Sequence, residues 1–416
     1  MAMMKSSNTE WLGDIPAEWD VAQIGNYYEL RNEKVSDYDF EPLSVTMKGI
    51  VPQLATAAKS DDHSNRKLVK KGDFVINSRS DRRGSCGISP LDGSVSLINT
   101  VMEPRGEMNP QYYNWLFHTE QFADEFYKWG HGIVDDLWTT RWQEMKKILI
   151  VAPSPDEQQA IADYLDETCS QIDEIIAETK ASINEYKNLR ESVISNSTTR
   201  GIKKNRFMKS SDVEWLPEIP TDWNVLSPKV VFTQRKDRAI KDERQLTASQ
   251  KHGIMYQDDY MKEEGVRIVT VEKDFSILKH VEPDDFVISM RSFQGGLEYS
   301  YLRGCISSAY VMLIPNHKYV YSEYYKWFFK SDKYINALQS TSDLIRDGQA
   351  LRYANFVKLK LFDIPIEEQK EIADYLNKEV PKIDSLIAEK ESLIDDLEAY
   401  KKSLIYEVVT GKRRVV

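Results

Sequence analysis

The sequence is poor in the residues that build metal centres and disulfide frameworks. It has three cysteines, Cys86, Cys169 and Cys305, far apart in the chain, and six histidines with no closely spaced pair. An odd, sparse cysteine set excludes a disulfide scaffold and suits a reducing, cytoplasmic setting. Without a Cys-x-x-Cys pair, no structural zinc is expected. No run of about 18 apolar residues occurs, so no transmembrane helix and no membrane partner are expected. Residues 1–11 are polar, unlike a signal peptide. Positive charge is not in excess either: 55 Lys and Arg against 66 Asp and Glu leave a formal net charge of −11. That excludes a protein that simply coats nucleic acid, because phosphate binding needs clustered cations. It leaves open a DNA reader whose basic residues are confined to one face.

Catalytic patterns are missing as well. There is no Gly-x-x-x-x-Gly-Lys-Ser/Thr phosphate loop, no Asn/Asp-Pro-Pro-Tyr/Phe segment and no glycine-rich nucleotide loop after a strand. Pro155-Asp156 and Pro283-Asp284 could start a nuclease motif, but no strand carrying acid-x-Lys follows at short range. Glu185-Tyr-Lys187 has that form but belongs to a helical stretch. Asp135 and Asp347 match across two halves of the chain; an acid pair is conceivable there, and a turn or capping role suits them better. The expectation is a binding chain, not an enzyme.

What is present is a repeat with a period of about 211 residues. Residues 6–21 read SSNTEWLGDIPAEWDV and residues 210–225 read SSDVEWLPEIPTDWNV. Residues 157–178, EQQAIADYLDETCSQIDEIIAE, match residues 368–389, EQKEIADYLNKEVPKIDSLIAE, at 12 of 22 positions. Between these flanks, Asp73-Phe-Val-Ile echoes Asp285-Phe-Val-Ile, and Tyr112-Tyr-Asn-Trp echoes Tyr324-Tyr-Lys-Trp. The period is too long for a solenoid. Similar flanks around divergent middles suit a duplicated scaffold carrying two different recognition surfaces.

From residue 156 onward, apolar or small residues step by threes and fours: Ala162, Leu165, Cys169, Ile172, Ile176, Thr179, Ile183, Tyr186 and Val193. The second copy has Ala373, Leu376, Val380, Ile383, Ile387, Ile394, Leu397 and Leu404 in the same register. This is a coiled-coil seam, and two such helices in one chain offer each other an antiparallel partner. Pro381 predicts a break, because proline is tolerated only in a helix's first turn. A short helix at about 367–378 and a longer one from about 381 follow, with a matching break near 168–170, where Ser170 stands. The longer pieces would span about 27 residues, or about 40 Å.

The segments 20–150 and 225–362 mix short strands (73–77, 95–102, 266–271, 285–289, 309–314) with helices (111–128, 322–338) and read as α+β. Matching loops follow the matching strands: Asn77-Ser-Arg-Ser-Asp-Arg-Arg-Gly in the first copy, Ser289-Met-Arg-Ser-Phe-Gln-Gly-Gly in the second. Arginine can bond guanine bidentately, and Asn or Gln can bond adenine. The first loop lies in a basic neighbourhood with Lys59, Arg66, Lys67, Lys70 and Lys71. The second copy has a looser cluster of Arg235, Lys236, Arg238, Lys241, Arg244 and Lys251. The candidate DNA contacts are Lys48, Arg66, Lys67, Asn77, Arg79, Arg82 and Arg83, then Lys251, Arg291, Gln294 and Arg346. Trp11, Trp19, Trp215 and Trp223 could stack on bases, but their place in the shared flanks favours anchoring.

The Trp-Leu-x-x-Ile-Pro-x-x-Trp openings, the Glu-Gln-x-x-Ile-Ala-Asp-Tyr-Leu helices with Ile-Asp following, and the closing Val408-Val-Thr-Gly-Lys resemble the specificity subunit of Type I restriction–modification enzymes over essentially the whole chain. The first copy departs from this, ending Thr199-Arg-Gly-Ile-Lys-Lys, which reads as a linker. The resemblance implies two target recognition domains (1–153 and 210–365), two spacer helix regions (154–198 and 366–416) in a pseudo-twofold arrangement, and a linker (199–209). Each domain would read half of a bipartite double-stranded DNA target. The paired helices would set the spacing and dock two modification subunits that use S-adenosylmethionine to methylate adenine. Restriction subunits that translocate DNA with ATP and Mg would join them, and this chain would hold no cofactor. The alternative is a coiled-coil protein–protein scaffold that never touches DNA.

Overall fold

The structure is a computed structural model that describes residues 3–56, 63–79, 82–132, 138–271, 275–289, 295–341 and 352–415. It divides into two compact units, residues 1–180 with 392–416, and residues 181–391. These units cut across the expected segments, because each takes in part of both long helices as well as a globular domain.

In the first unit a hairpin of Met4–Ser6 and Asp14–Pro16 opens the chain, and Asp20–Gln23 pairs with Leu149–Ala152. An antiparallel sheet follows in the order Cys86–Ile88, Phe74–Asn77, Asn99–Pro104, Tyr28–Leu30. The hairpin Leu43–Thr46 and Gly49–Pro52 packs against it through Leu43, Val45, Ile50, Val75 and Val101. The other side of the sheet meets an aromatic cluster in which Phe74, Tyr113 and Phe117 surround Tyr28. The second unit repeats the sheet as Glu298–Tyr299, Phe286–Ile288, Val311–Pro315, Phe232–Arg235. Its hairpin is Leu246–Ser249 and Gly253–Tyr256, followed by an added helix, Gln257–Glu264.

Several sequence expectations need correcting. The strand expected over 95–102 is two, Gly93–Ser96 and Asn99–Pro104, turning between them. Residues 266–271 form no strand. The helix expected over 111–128 stops at Phe117 and restarts at Glu120, because the Thr119 hydroxyl accepts the Phe122 N–H and caps a new start. The matching stretch of the second unit is also two helices, Ser322–Phe328 and Asp332–Ser340, with the Ser331 hydroxyl donating back to the Phe328 carbonyl between them.

The expected helix breaks are absent. Pro155–Arg200 and Ile366–Val409 are each one helix, and Pro381 lies inside the second. The proline removes one backbone donor, but Leu376, Val380 and Ile383 on either side are buried. Burial of each such side chain is worth roughly 1.5–3 kcal/mol, enough to hold the helix through the defect.

Most of the three-four stripe is buried. Leu165, Ile172, Ile176 and Ile183 are buried, as are Leu376, Ile383, Ile387, Ile394 and Leu404, with Tyr186, Val193 and Leu397 half-buried. In the first unit Asp173 pairs with Lys401 at 2.6 Å and Lys180 with Glu398 at 3.7 Å. In the second, Lys187 pairs with Glu391 at 3.5 Å and Arg190 with Asp384 at 2.7 Å. In each unit the numbers rise on one helix as they fall on the other, so the segments run antiparallel. These pairs are exposed and contribute little energy.

The repeated Glu-Gln at each helix start explains the repeated tryptophans. Trp19 Nε1 donates to Glu157 at 3.1 Å, and Trp223 Nε1 donates to Glu368 at 3.2 Å. The buried Gln158 and Gln369 side chains accept from the N–H groups of Asn109 and Tyr321, which cap the helices Pro110–Phe117 and Ser322–Phe328. Trp11 Nε1 donates to the Leu149 carbonyl. Anchoring therefore accounts for Trp11, Trp19 and Trp223, which are buried.

Candidate nucleic-acid interface

One end of the first unit's sheet carries the loop that the repeat marked out, and the second unit's core strand ends at the matching place, before Ser289. In the first unit Asn77 ends the core strand, and its Oδ1 accepts the Arg79 N–H at 3.0 Å. That bond turns the chain out, so Arg79, Arg82 and Arg83 are exposed. Arg83 pairs with Asp124 and lies 5.2 Å from the Tyr127 ring centroid. Tyr127 in turn stacks on Trp138 at 5.6 Å. Beside this loop, the tight turn of the hairpin exposes Lys48, whose N–H is held by the Thr46 hydroxyl. The hairpin seats on the strand after the loop: a Cβ on Gly87 would lie 2.9 Å from the Gly49 Cα.

Three expected contacts are held by the fold instead. Arg66 is buried, donating to the Ser94 hydroxyl at 2.8 Å and the Ser94 carbonyl at 3.0 Å, and burial lowers its pKa. Asn77 is buried beneath the loop that it shapes. Lys67 is half-buried, donates to the Asn99 carbonyl at 2.6 Å and is also lowered by burial. Arg235 is committed too: it holds Asp285 with two bonds, at 2.6 and 2.9 Å. Arg31 holds Asp73 in the first unit in the same way, at 2.6 and 3.0 Å. These matched pairs brace the two sheets. Arg291, Gln294, Arg346, Lys59 and the Asp135–Asp347 match lie outside the described residues.

In the second unit the hairpin turn is one residue longer, Gln250-Lys251-His252 in place of Met47-Lys48. Lys251 is exposed and bonds Glu264 of the added helix at 2.7 Å, which raises its pKa. Arg244 pairs with Asp258 and Asp259 of that helix and covers the Tyr256 ring at 3.5 Å. The added helix thus neutralises part of the basic cluster expected here. Between the hairpin turn and the sheet edge opens a cleft of about 480 Å³, with Ser249, Gln250, Tyr260, Ser289 and Tyr310 among its lining residues. Glu298 also lines it and is 5% exposed. Lys330 Nζ donates to Glu298 Oε1 and to the Gly295 carbonyl. Burial pushes the Glu298 carboxyl above the ordinary glutamate value, against the pull of Lys330.

Sequence reasoning missed this glutamate because Gly-Leu-Glu-Tyr reads as an ordinary edge strand. The available signal was a comparison of the copies. Opposite Val75 stands Gly87, and opposite the equivalent Val287 stands Glu298.

The cysteines offer no nucleophile at this end or elsewhere. All three are free and buried, and burial pushes the Cys169 and Cys305 thiols up to about 11. Among the described residues, no three His, Cys, Asp or Glu side chains are grouped to hold a metal, and no helix is long and apolar enough to cross a membrane.

The architecture has close counterparts among solved structures. A chain from a structural study of complex assembly and conformational transition of the type I R-M system covers 96% of this chain and 99% of its own, with a TM-score of 0.72 and 12% identity. The chain has the fold of a type I specificity subunit. The HsdS subunit of Thermoanaerobacter tengcongensis shares it over 96% of this chain and 98% of its own, with a TM-score of 0.54 and 14% identity. In sequence, this specificity-subunit fold is similar to a Methanocaldococcus jannaschii protein assigned as the type I restriction enzyme MjaX specificity subunit. The two are 21% identical over 445 aligned positions, covering 97% of this chain and 96% of that protein. No protein-family model matches the chain.

Proposed function

We propose that this chain is the non-catalytic DNA-specificity subunit of a type I restriction–modification complex. The observation that carries the reading is the contrast within the duplication. Both units keep the sheet order, the Arg–Asp brace and the Trp–Glu anchor, while the hairpin turns differ: Met47-Lys48 in the first, and Gln250-Lys251-His252, with Lys251 tied to Glu264, in the second. A constant scaffold with unlike loops suits two unlike half-sites. The whole-length likeness to specificity subunits supports the same reading.

In this reading each unit turns its loop end to one half of a bipartite double-stranded target. Lys48, Arg79, Arg82, Arg83 and Lys251 neutralise phosphates or meet base edges, and a few polar side chains choose the bases. The long helices set the gap between the halves. Their repeated Asp163-Tyr164 and Asp374-Tyr375 face outward, with both aspartates and Tyr375 exposed. They offer two equivalent faces to two modification subunits. S-adenosylmethionine, ATP and Mg belong to the modification and restriction subunits, which work with this chain in the cytoplasm.

Enrichment of random duplexes by the full chain tests the proposal. The expected product is a split sequence with one fixed gap, bound with a steep salt dependence. Four residues inserted into each long helix add about 6 Å, so the gap should widen by about one or two base pairs at roughly 3.4 Å each. Recovery of no sequence, or of an unsplit one, would exclude this function; an unchanged gap would exclude the helices as the spacer.

A further inference from the structure

We infer that Glu298 is a specificity-determining residue of the second unit, accepting the exocyclic amino group of one base, adenine N6 or cytosine N4, in the half-site read there. The inference rests on the DNA-reading role proposed above and assigns one position within it.

The geometry begins with the sheet. Gly87 and Glu298 occupy the same register position in the two units. In the first unit the Gly49 backbone closes over Gly87, leaving no room for a side chain. In the second the longer hairpin stands back, and a Cβ on the equivalent Gly253 would lie 3.8 Å from Glu298 Oε2. The space released is part of the cleft of about 480 Å³. Its lining includes Ser289, the last described residue before the loop that carries Arg291 and Gln294. The carboxylate thus shares a cleft with Ser289, the first residue of the segment that the repeat marks for recognition.

The chemistry follows from the side chain. An ionised carboxylate only accepts hydrogen bonds. In the major groove, cytosine N4 and adenine N6 are donors, while guanine O6 and thymine O4 are acceptors that a carboxylate repels. A buried carboxylate needs a partner to stay charged, and Lys330 supplies it at Oε1 while fixing the side chain's direction. The same Nζ is tied to the Gly295 carbonyl at 2.8 Å, so the lysine is held in place. An acceptor with a locked direction in the lining of a polar cleft discriminates by hydrogen-bond sense.

Two measurements on the full chain test this. Duplex enrichment with the wild type should give adenine or cytosine at one position of one half-site. Glu298→Gln, which keeps the shape and adds a donor, should relax that position alone by about 10-fold. Retention of the other half-site shows that the variant is folded. Independently of any variant, the wild type should bind about 10-fold more weakly when that base is replaced by its analogue lacking only the amino group. Purine in place of adenine and pyrimidinone in place of cytosine tell the two sources apart. Equal wild-type affinity for the analogue, or an identical motif for Glu298→Gln, would overturn the assignment while leaving DNA reading intact. Failure of the wild type to enrich any duplex would overturn both.

Discussion

At the sheet end of the first unit, Gly87 is sealed by the Gly49 backbone; at the matching end of the second, Glu298 looks into an open cleft. Elsewhere in the same sheets the two units barely differ. Arg31 grips Asp73 as Arg235 grips Asp285, and Phe74-Val-Ile pairs as Phe286-Val-Ile does. The copies have therefore diverged around the hairpin turn and its cleft and stayed alike at the Arg–Asp pairs and the strands beside them. Removing one partner of a buried pair strands a charge, whereas a turn can gain a residue at little cost in packing.

That contrast can be broken most forcefully at the braces. Arg31→Met and Arg235→Met each leave a nearly inaccessible carboxylate unpaired, Asp73 at 3% and Asp285 at 1% side-chain exposure. Each should cost about 3–5 kcal/mol in denaturant unfolding, and the two losses should agree; a loss in only one unit would mean that the braces are not equivalent. The helices allow a reciprocal swap of intermediate size. Ser170→Pro should destabilise the first unit by about 3 kcal/mol, and Pro381→Ala should recover up to about 3 kcal/mol in the second. Absence of the second effect would show that packing around Pro381 already compensates for the missing donor. The smallest effect is expected at the sealed end. Gly87→Ala places a methyl against the Gly49 backbone and should cost about 1–3 kcal/mol, read as a lowered melting temperature. No loss there would mean that the seal is loose and the two ends differ less than they look.

The sequence was legible where a rule couples one residue to a near neighbour or to its copy. The three-four stripe placed the seam, and Leu165, Ile172, Leu376 and Ile383 are buried on it. The opening tryptophans were readable as anchors because they recur in both flanks. Local rules misled at Pro381, where seam burial outweighed one lost hydrogen bond, and at 118–119, where a threonine cap divided an apolar run. They also misled at Arg66 and Arg235, which carry the right charge for DNA but are spent on Ser94 and Asp285. Nothing in a linear string says whether a cation faces solvent or a buried acceptor.

Duplication, the α+β alternation of each copy and the antiparallel seam were written in periodicity and self-similarity, which depend on short-range spacing alone. Which arginines stay exposed, which glycine is sealed, and the cleft around Glu298 came only with folding. So did the joining of each domain to a stretch of the other copy's helix. Those features arise from residues brought together over long separations, such as Tyr112 donating to the Val409 carbonyl at 2.7 Å across 297 positions. Contacts of that kind are set by the balance of burial against hydrogen bonding in three dimensions, which no local pattern encodes.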